Sequence, residues 1–310
     1  AFGSHDDALG VIFVRGIPDY PALREDLLMQ ASVMANLQAD IKERLTVTDA
    51  QYSVGWSHGK EKMNDKLDTE KGSFYANPLV DQPGAQVSEE LRQQYPMYYR
   101  DNVWPTEAEC PGFEQHFKAL GGLISGVGYL LARHCDAYVP GYTPDLISSA
   151  LQSSDTTKAR LLHYFPQKTP QTTSADDQAS WCGWHLDHSL LTGLTSAMYI
   201  DETADYRETE PTDPQAGLYI KKRSGQVVQV HIPKDYIAFQ AGEALQVATG
   251  NQLQGTWHCV RSPASASQTP NALVARNTFA VFLQPSVLQP LNAAGLTFGE
   301  FSRQVLQRHY

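Results

Sequence analysis

The stretch WCGWHLDHSLLTGLTSAMY, residues 181–199, contains side chains that could bind a metal ion. His185 and Asp187 are two positions apart, and side chains two apart on an extended strand point to the same face. An imidazole and a carboxylate on one face would present two ligands to one point. His258, in the sequence GTWHCVRSP of a later predicted strand, is the candidate for a third ligand.

Two histidines and one carboxylate leave part of a metal's coordination shell open. This ligand set is typical of Fe(II) enzymes that bind O2 together with a co-substrate. A zinc site is the alternative, since zinc also binds thiolates and Cys182 and Cys259 are close to these histidines in the sequence. Against zinc, Cys259 directly follows His258 and must face the other side of a strand. We therefore predict that Cys182 and His188 take no part in the site.

A cationic side chain occurs in an apolar stretch further along the chain. In VARNTFAVFLQP, Arg276 and Thr278 share one strand face, and the flanking apolar residues predict that this strand is buried. A buried guanidinium is unfavourable without an anionic partner, and arginine binds carboxylates through two parallel hydrogen bonds. We therefore expect Arg276 and Thr278 to bind the carboxylate of a ligand. An ion pair with the acidic residues 201–215 is the alternative.

The order His-x-Asp, a distal His and Arg-x-Thr resembles the Fe(II)- and 2-oxoglutarate-dependent dioxygenases, and within them the isopenicillin N synthase-like group. That family has Arg-x-Ser, and Thr278 keeps the hydroxyl here. Further similar motifs are spread over nearly the whole chain: GVIFVRGIP, DNVWP, LLHYFP and AFQAGEALQVATGNQL. The resemblance implies a mainly β fold with flanking helices, in which a double-stranded β-helix (jelly roll, cupin-like) core follows a helical N-terminal region.

The resemblance also implies an oxidoreductase. Its cofactors would be Fe(II), 2-oxoglutarate as co-substrate and ascorbate as an optional reductant. The reaction would consume O2 and form succinate and CO2 while a small organic molecule is hydroxylated, desaturated or cyclised. The implied catalytic metal ligands are His185, Asp187 and His258. The implied co-substrate residues are Arg276, Thr278 and Tyr164.

One difference from the family concerns the co-substrate. The family's Asn-Tyr-Tyr becomes His163, Tyr164 and Phe165, so Phe165 lacks the hydroxyl that the second tyrosine often offers to 2-oxoglutarate. Two further alternatives therefore stay open beside a zinc protein. One is an iron oxidase that does not use 2-oxoglutarate, and the other is a non-catalytic jelly roll that binds a ligand.

The elements that must position these residues divide the chain in two. Residues 1–158 are predicted as an N-terminal α/β region with helices and substrate-covering loops, and residues 159–310 as the β-helix core with a C-terminal helix, together forming one compact unit. In the second part, short apolar stretches separated by Gly, Pro and Asn predict strands, including ALQVATG at residues 244–250. Thr297 and Glu300 have the spacing of a capping box and predict the closing helix.

The N-terminal region opens with a predicted strand at residues 9–18. Apolar residues at intervals of three and four then predict helices over residues 20–45, capped by Asp19, and over residues 112–135. A shorter helix is predicted to start at Thr143, which is followed by proline.

Two stretches show no such periodicity. Residues 46–110 are rich in Gly, Pro and aromatic residues and are predicted as an irregular region that covers the substrate. The acidic residues 201–215 are predicted as a turn-rich insertion without a strand. The aromatic residues proposed for the cover are Tyr52, Trp56, Phe74 and Trp104.

Composition and charge argue against other classes of protein. The 310 residues carry a formal net charge of −10, which is unfavourable for binding nucleic acid. No apolar run reaches the roughly 18 residues that would span a membrane. The four cysteines are few and far apart, which favours a reducing compartment and predicts a cytoplasmic location. We expect a monomer whose partner is a small-molecule substrate.

Overall fold

The structure is a computed structural model. It describes residues 1–60, 62–63, 66–139, 145–166, 180–263 and 273–309. The strands, in chain order, are β1 (Val11–Arg15), β2 (Gly55–His58), β3 (Lys62–Met63), β4 (Lys66–Leu67), β5 (Lys71–Ala76), β6 (Lys158–Tyr164), β7 (Ser180–His185), β8 (Leu191–Thr195), β9 (Met198–Asp201), β10 (Arg207–Thr209), β11 (Gly217–Lys221), β12 (Val227–Val230), β13 (Tyr236–Ala241), β14 (His258–Arg261) and β15 (Val274–Leu283).

The helices of the described residues flank these strands. They are α1 (Tyr20–Ala35), α2 (Ala39–Arg44), α3 (Glu89–Gln94), α4 (Pro96–Tyr99), α5 (Phe113–Tyr138), α6 (Leu146–Gln152), α7 (Glu243–Ala248) and α8 (Phe298–His309). Thr143, the predicted first residue of the third helix, lies outside the described residues, and α6 begins shortly after it. Among the described helices, none is both long and apolar enough to cross a membrane.

Two antiparallel sheets form the core. The large sheet has the order β1-β13-β8-β15-β6-β5-β2, with β9 beside β15 and β10 beside β9, and the small sheet has the order β12-β11-β14-β7. Buried side chains from both sheets meet between them, among them Leu162, Trp181, Val260 and Ala280. This is the jelly-roll arrangement predicted for the core, and among the described strands neither sheet closes into a barrel.

Helices α1 and α5 pack on the face of the large sheet that points away from the small sheet. The interface is made of fully buried apolar side chains, including Leu27 of α1, Phe117 of α5 and Phe279 of β15. The helix comes close to the sheet at Gly193 of β8, where a Cβ atom would lie 2.3 Å from Cγ2 of Ile124. A side chain at position 193 would therefore push α5 away from the sheet.

The predicted helix over residues 20–45 is interrupted, because α1 ends at Ala35 and α2 starts at Ala39. The side-chain amide of Asn36 donates to the carbonyl of Ser32 at 2.9 Å and so competes with the helical hydrogen bonds. Asp19 does not cap α1 through its side chain. Its φ of 63° is left-handed, whereas a side-chain N-cap needs extended backbone.

Three further expectations are wrong. Residues 46–110 contain β2 and β5, which extend the large sheet beside β6. Their side chains do not alternate in polarity because β5 is buried on both faces. Residues 201–215 contain β10, which pairs with β9. Residues 244–250 form α7 instead of a strand, and their Ala, Leu and Gln residues are good helix formers.

The capping box that predicted the closing helix is confirmed. The backbone N–H of Thr297 donates to Glu300 Oε2 at 3.0 Å, and the N–H of Glu300 donates to Thr297 Oγ1 at 3.3 Å. The predicted helix over residues 112–135 is confirmed as α5, which starts one residue later and ends at Tyr138. Both predictions rest on local hydrogen bonding or local periodicity.

Candidate metal centre

Two neighbouring strands of the small sheet bring the three predicted metal ligands together. His185 is the last residue of β7, His258 is the first residue of β14, and the two are directly paired. Asp187 Oδ1 lies 3.6 Å from His185 Nε2 and 3.7 Å from His258 Nε2. One ligand atom from each residue lies within 4.8 Å of the other two. A single ion could therefore contact all three.

Contrary to the prediction from the His-x-Asp spacing, His185 and Asp187 do not lie on one strand. Asp187 lies beyond the end of β7, so strand alternation does not place it beside His185. The chain turns after His185, and the backbone N–H of Glu243 in α7 donates to the carbonyl of Asp187 at 2.7 Å. Helix α7, which the sequence predicted as a strand, thus helps to hold the carboxylate in place.

Both imidazole rings are oriented by backbone carbonyls. His185 Nδ1 lies 2.8 Å from the carbonyl oxygen of Gly183, and His258 Nδ1 lies 2.9 Å from that of Thr256. Because a carbonyl only accepts, each Nδ1 carries a hydrogen, and in the neutral ring Nε2 is therefore the nitrogen that can bind a metal. Hydrogen bonds of this kind set the tautomer and orientation of metal-binding histidines.

The charges of the three side chains influence one another. Burial favours the neutral form of Asp187, but the His258 and His185 rings and hydrogen bonds hold its pKa below the usual range. Burial lowers the pKa of His258 to about 4, so this ring is neutral at pH 7. Burial opposes protonation of His185 as well, but the thiol of Cys182 and the carboxylate of Asp187 raise its pKa to about 9.

A cavity of about 340 Å³ lies between the two sheets and is lined by all six predicted site residues. The three candidate ligands contribute from the small sheet and the turn after it. Tyr164 of β6 and Arg276 and Thr278 of β15 contribute from the large sheet, where Tyr164 and Arg276 are directly paired. The predicted metal ligands and the predicted carboxylate-binding residues therefore face the same space.

Arg276 has no anionic partner among the described residues. Its side chain is 6% exposed, and its Nε and Nη1 atoms are buried without a hydrogen-bond acceptor. The guanidinium carbon lies 5.0 Å from the centre of the Tyr164 ring. The alternative ion pair with residues 201–215 is not seen among the described residues, and Glu208 of that stretch pairs with Lys234 at 2.9 Å. An acceptor supplied by a ligand would satisfy these two nitrogen atoms.

Phe165 was expected to deprive the co-substrate site of a tyrosine hydroxyl, and this expectation is wrong. Phe165 follows β6 and packs against the rings of His58 and His163, with centroid distances of 4.8 and 4.7 Å. Tyr164, which precedes it, is the residue that lines the cavity. A phenylalanine at position 165 therefore removes no hydroxyl from the cavity.

Of the two residues predicted to take no part, only His188 stays outside the site. Its ring stacks on Phe298, and its Nε2 lies 3.3 Å from the hydroxyl of Tyr98. Cys182 lines the cavity, and its Sγ lies 3.7 Å from His185 Nδ1. Burial raises the pKa of this thiol, but His185 brings it down to about 7.

The four aromatic residues predicted to cover the substrate do not line the cavity. Phe74 and Trp56 are core residues, 0% and 5% exposed. The ring of Phe74 contacts those of Trp104, at 5.7 Å, and Phe117, at 5.9 Å. These rings fill the interface between α5 and the large sheet, because β2 and β5 are core strands and not a loop.

Two residues of the site were missed from the sequence. Arg160 lies on the cavity face of β6, and its Nε donates to the hydroxyl of Ser73 at 2.9 Å. Strand alternation back from Tyr164 could have identified it. Gln240 of β13 donates to Asp187 Oδ2 at 2.7 Å. No local pattern marks Gln240, since it lies in an apolar stretch of a different strand.

Solved structures similar to this chain include proteins named as oxygenases. A protein assigned to the 2OG-Fe(II) oxygenase family from Caulobacter crescentus has a TM-score of 0.69 and 20% identity, covering 99% of this chain and 92% of that one. JOX2 in complex with 2OG, Fe and JA has a TM-score of 0.66 and 15% identity, covering 97% and 78%. A full-length Neurospora crassa protein in complex with alpha-KG and thymine has a TM-score of 0.62 and 18% identity, covering 98% and 89%.

Comparison by sequence gives no match, either to a protein family or to a curated protein. The likeness is therefore one of three-dimensional structure, and it extends over nearly the whole chain. The chain has the fold of the 2-oxoglutarate- and Fe(II)-dependent oxygenases.

Proposed function

We propose that this protein is a non-haem Fe(II)- and 2-oxoglutarate-dependent oxygenase that oxidises a small organic molecule. The proposal is based on the side chains that line one cavity. It combines a two-histidine, one-carboxylate set of ligand atoms with a buried guanidinium that has two nitrogen atoms without acceptors. Ligands of the first kind bind Fe(II) and leave coordination positions open, and a guanidinium is suited to a carboxylate.

The side chains that line the cavity are chemically suited to hold both the iron and 2-oxoglutarate. His185 and His258 would bind the iron through Nε2, since both Nδ1 atoms are occupied by backbone carbonyls, and Asp187 would bind it through Oδ1. 2-Oxoglutarate carries a carboxylate at each end. The end far from the iron would meet Arg276 and Thr278, with Tyr164 beside them. The co-substrate would thus connect the small sheet with the large sheet.

The bound iron and 2-oxoglutarate supply the chemistry, in which O2 is consumed and succinate and CO2 are formed. The protein's own residues orient these groups and exclude water from them. Apolar side chains from both sheets also line the cavity: Leu162, Leu194, Leu218, Val260 and Phe282.

A small molecule is the class of substrate that the cavity supports. Its volume of about 340 Å³ falls in the range of roughly 300–1,000 Å³ for small-ligand sites. Among the similar structures, JOX2 contains JA and the Neurospora crassa protein contains thymine. Hydroxylation, desaturation and cyclisation all follow from the same iron centre, so the proposal includes all three.

The geometry is unfavourable for a zinc site that includes cysteine. Cys182 Sγ contacts His185 on its Nδ1 edge, whereas the ligand atom that faces Asp187 is Nε2. Cys259 is buried outside the residues that line the cavity. The described ligand atoms are therefore nitrogen and oxygen, which suits Fe(II) with open positions better than a closed zinc shell.

The test is optical. Anaerobic addition of Fe(II) and 2-oxoglutarate should give a visible charge-transfer band, and His185→Ala should abolish it. His188→Ala is the matched control, because His188 lies three residues away and contacts Tyr98 and Phe298 outside the cavity. A band that survives in His185→Ala, or its absence from the wild-type protein, would contradict the proposed function.

A further inference from the structure

Gln240 is a buried polar residue in an otherwise apolar strand. It lies near the end of β13, between Val11 of β1 and Thr192 of β8 in the large sheet. Its side chain is 1% exposed, and its neighbours Phe239 and Ala241 are also buried. A buried amide is unfavourable unless it is hydrogen-bonded. The partners of this amide therefore indicate why it is there.

The amide nitrogen of Gln240 donates to Asp187 Oδ2 at 2.7 Å. The other carboxylate oxygen, Oδ1, is the one that lies within 3.7 Å of Nε2 in both His185 and His258. The two oxygens of Asp187 thus have different contacts. Gln240 occupies Oδ2, and Oδ1 points to the place where the two histidine nitrogens converge.

The same amide nitrogen also contacts the His258 ring. It lies 3.1 Å from Nε2 and 3.3 Å from Nδ1. Nδ1 already donates to the carbonyl of Thr256, so it cannot accept a hydrogen bond from Gln240. The amide nitrogen is thus almost equally far from Nδ1 and Nε2, the two nitrogens that flank Cε1. In the plane of the ring such a position would clash with Cε1, so the amide lies over the face of the ring. Gln240 therefore limits the tilt of this imidazole as well.

The amide oxygen of Gln240 is buried and has no hydrogen-bond partner among the described residues. Only the nitrogen end of the side chain is satisfied, and it is satisfied by a candidate metal ligand. Glutamate at this position would have the same length but would present an oxygen to Asp187. Methionine would have a similar volume but no donor.

We propose that Gln240 is a positioning residue that makes Asp187 a one-oxygen metal ligand, a role that rests on the metal site of the proposed function. By occupying Oδ2 it directs Oδ1 to the ion, and by contacting the His258 ring it holds a second ligand in place. Partners of this kind, which bind a ligand and not the metal, change metal affinity by roughly 10- to 100-fold when they are removed.

Gln284 offers a matched control within the same chain. It is also a buried glutamine, 2% exposed. Its amide nitrogen has one acceptor, the carbonyl of Thr156 at 3.4 Å, and its amide oxygen is likewise without a partner among the described residues. It contacts none of the three candidate ligands. Replacing either glutamine by methionine removes a similar buried amide from the fold.

The experiment is a Co(II) titration of Gln240→Met, Gln284→Met and the wild-type protein, followed by the visible ligand-field bands, with thermal unfolding of each metal-free protein. We expect Gln240→Met to lower Co(II) affinity roughly 10- to 100-fold and to alter the bands. Gln284→Met should keep the Co(II) affinity and the visible bands of the wild-type protein, even if its unfolding temperature falls as much as that of Gln240→Met. Gln240→Glu, which is closer in shape and serves if the methionine variant does not fold, should also bind Co(II) more weakly.

Wild-type affinity in Gln240→Met, or an equal loss in Gln284→Met, would overturn the positioning role and leave the proposed oxygenase function intact. A wild-type protein that binds no Co(II) would instead overturn the metal site, and with it both proposals. The two failures are therefore distinguishable in one set of titrations.

Discussion

At the scale of single residues, Arg276 and Arg24 are two buried guanidiniums with opposite environments. Arg24 is 3% exposed and donates to the carbonyls of Ser196, at 3.0 Å, and Ala197, at 2.8 Å. Arg276 is also buried but leaves Nε and Nη1 without acceptors among the described residues. Arg24 thus has acceptors within the fold, whereas under the proposed function Arg276 would obtain its acceptors from a ligand.

This difference predicts stability changes of opposite sign. Arg276→Met should raise the free energy of unfolding of the ligand-free protein by about 1–3 kcal/mol, because it removes an unsatisfied buried cation. Arg24→Met should lower it by a similar amount, because two buried carbonyls lose their donor. Urea unfolding of both variants measures this, and a lower stability in Arg276→Met would contradict the prediction.

The same Arg276→Met variant should lose affinity for 2-oxoglutarate. Removing one partner of a buried, hydrogen-bonded charge pair weakens binding by about 2–5 kcal/mol, which is roughly 30-fold or more. Calorimetric titration with 2-oxoglutarate in the presence of Mn(II) measures the change. Unaltered 2-oxoglutarate affinity would show that the carboxylate binds elsewhere.

At the scale of secondary-structure elements, Asn277 joins helix α1 to the large sheet. Its side-chain amide donates to the carbonyl of Leu28 at 2.8 Å and to the hydroxyl of Ser32 at 2.9 Å. Its amide oxygen lies 2.8 Å from His163 Nδ1 on the adjacent strand β6. This junction lies on the face of β15 opposite Arg276 and so supports the strand that carries the proposed carboxylate-binding residues.

His163 makes this junction sensitive to acid. Burial lowers its pKa to about 4, compared with about 6.5 in an unfolded chain. Between these two pH values the unfolded state therefore binds more protons than the folded state. The free energy of unfolding is highest above about pH 6.5 and decreases as the pH falls towards 4. His258, with a pKa also near 4, contributes in the same direction in the metal-free protein.

His163→Gln should flatten this acid dependence, because glutamine can still donate to Asn277 and does not titrate. Between pH 6.5 and 5 the wild-type protein should lose about 1.5 kcal/mol more stability than the variant, because the slope rises over this range from about half to nearly all of 1.4 kcal/mol per pH unit. Urea unfolding of the metal-free proteins at several pH values measures the difference. Parallel pH profiles would contradict the assignment to His163.

At the scale of the whole molecule, the cavity lies at the contact between the two sheets. The candidate metal ligands belong to the small sheet and the turn that follows it, and Arg276 belongs to the large sheet. A ligand that reaches from one to the other would couple the two sheets. Binding to the folded state alone raises stability by about 2.7 kcal/mol at 100 times the dissociation constant.

We therefore expect Mn(II) to raise the unfolding temperature and 2-oxoglutarate to raise it further only when Mn(II) is present. Arg276→Met should keep the shift caused by Mn(II) and lose the additional shift. His185→Ala should lose both shifts, and a chelator should reverse them in the wild-type protein. An equal effect of 2-oxoglutarate with and without Mn(II) would contradict a site shared between the two sheets.

Much of the fold and of the candidate site could be predicted from neighbouring residues. The β-rich second half, helix α5 and the Thr297–Glu300 capping box depend on local spacing and local hydrogen bonds. Residues 244–250 were predicted wrongly because a short apolar stretch fits a strand and a helix equally well. Strands β2 and β5 were missed because a strand buried on both faces shows no alternation.

The residue types, namely two histidines, a carboxylate and an arginine in a predicted buried strand, are evident from the sequence, and they predict the class of chemistry. The three-dimensional structure was needed to show that Phe165 packs outside the cavity, and that Gln240, 53 positions from Asp187 in the chain, binds its carboxylate. Local spacing specifies residues along one element only. Contacts between distant strands depend on the order and register of the strands in each sheet, and these are determined by the packing of the whole chain.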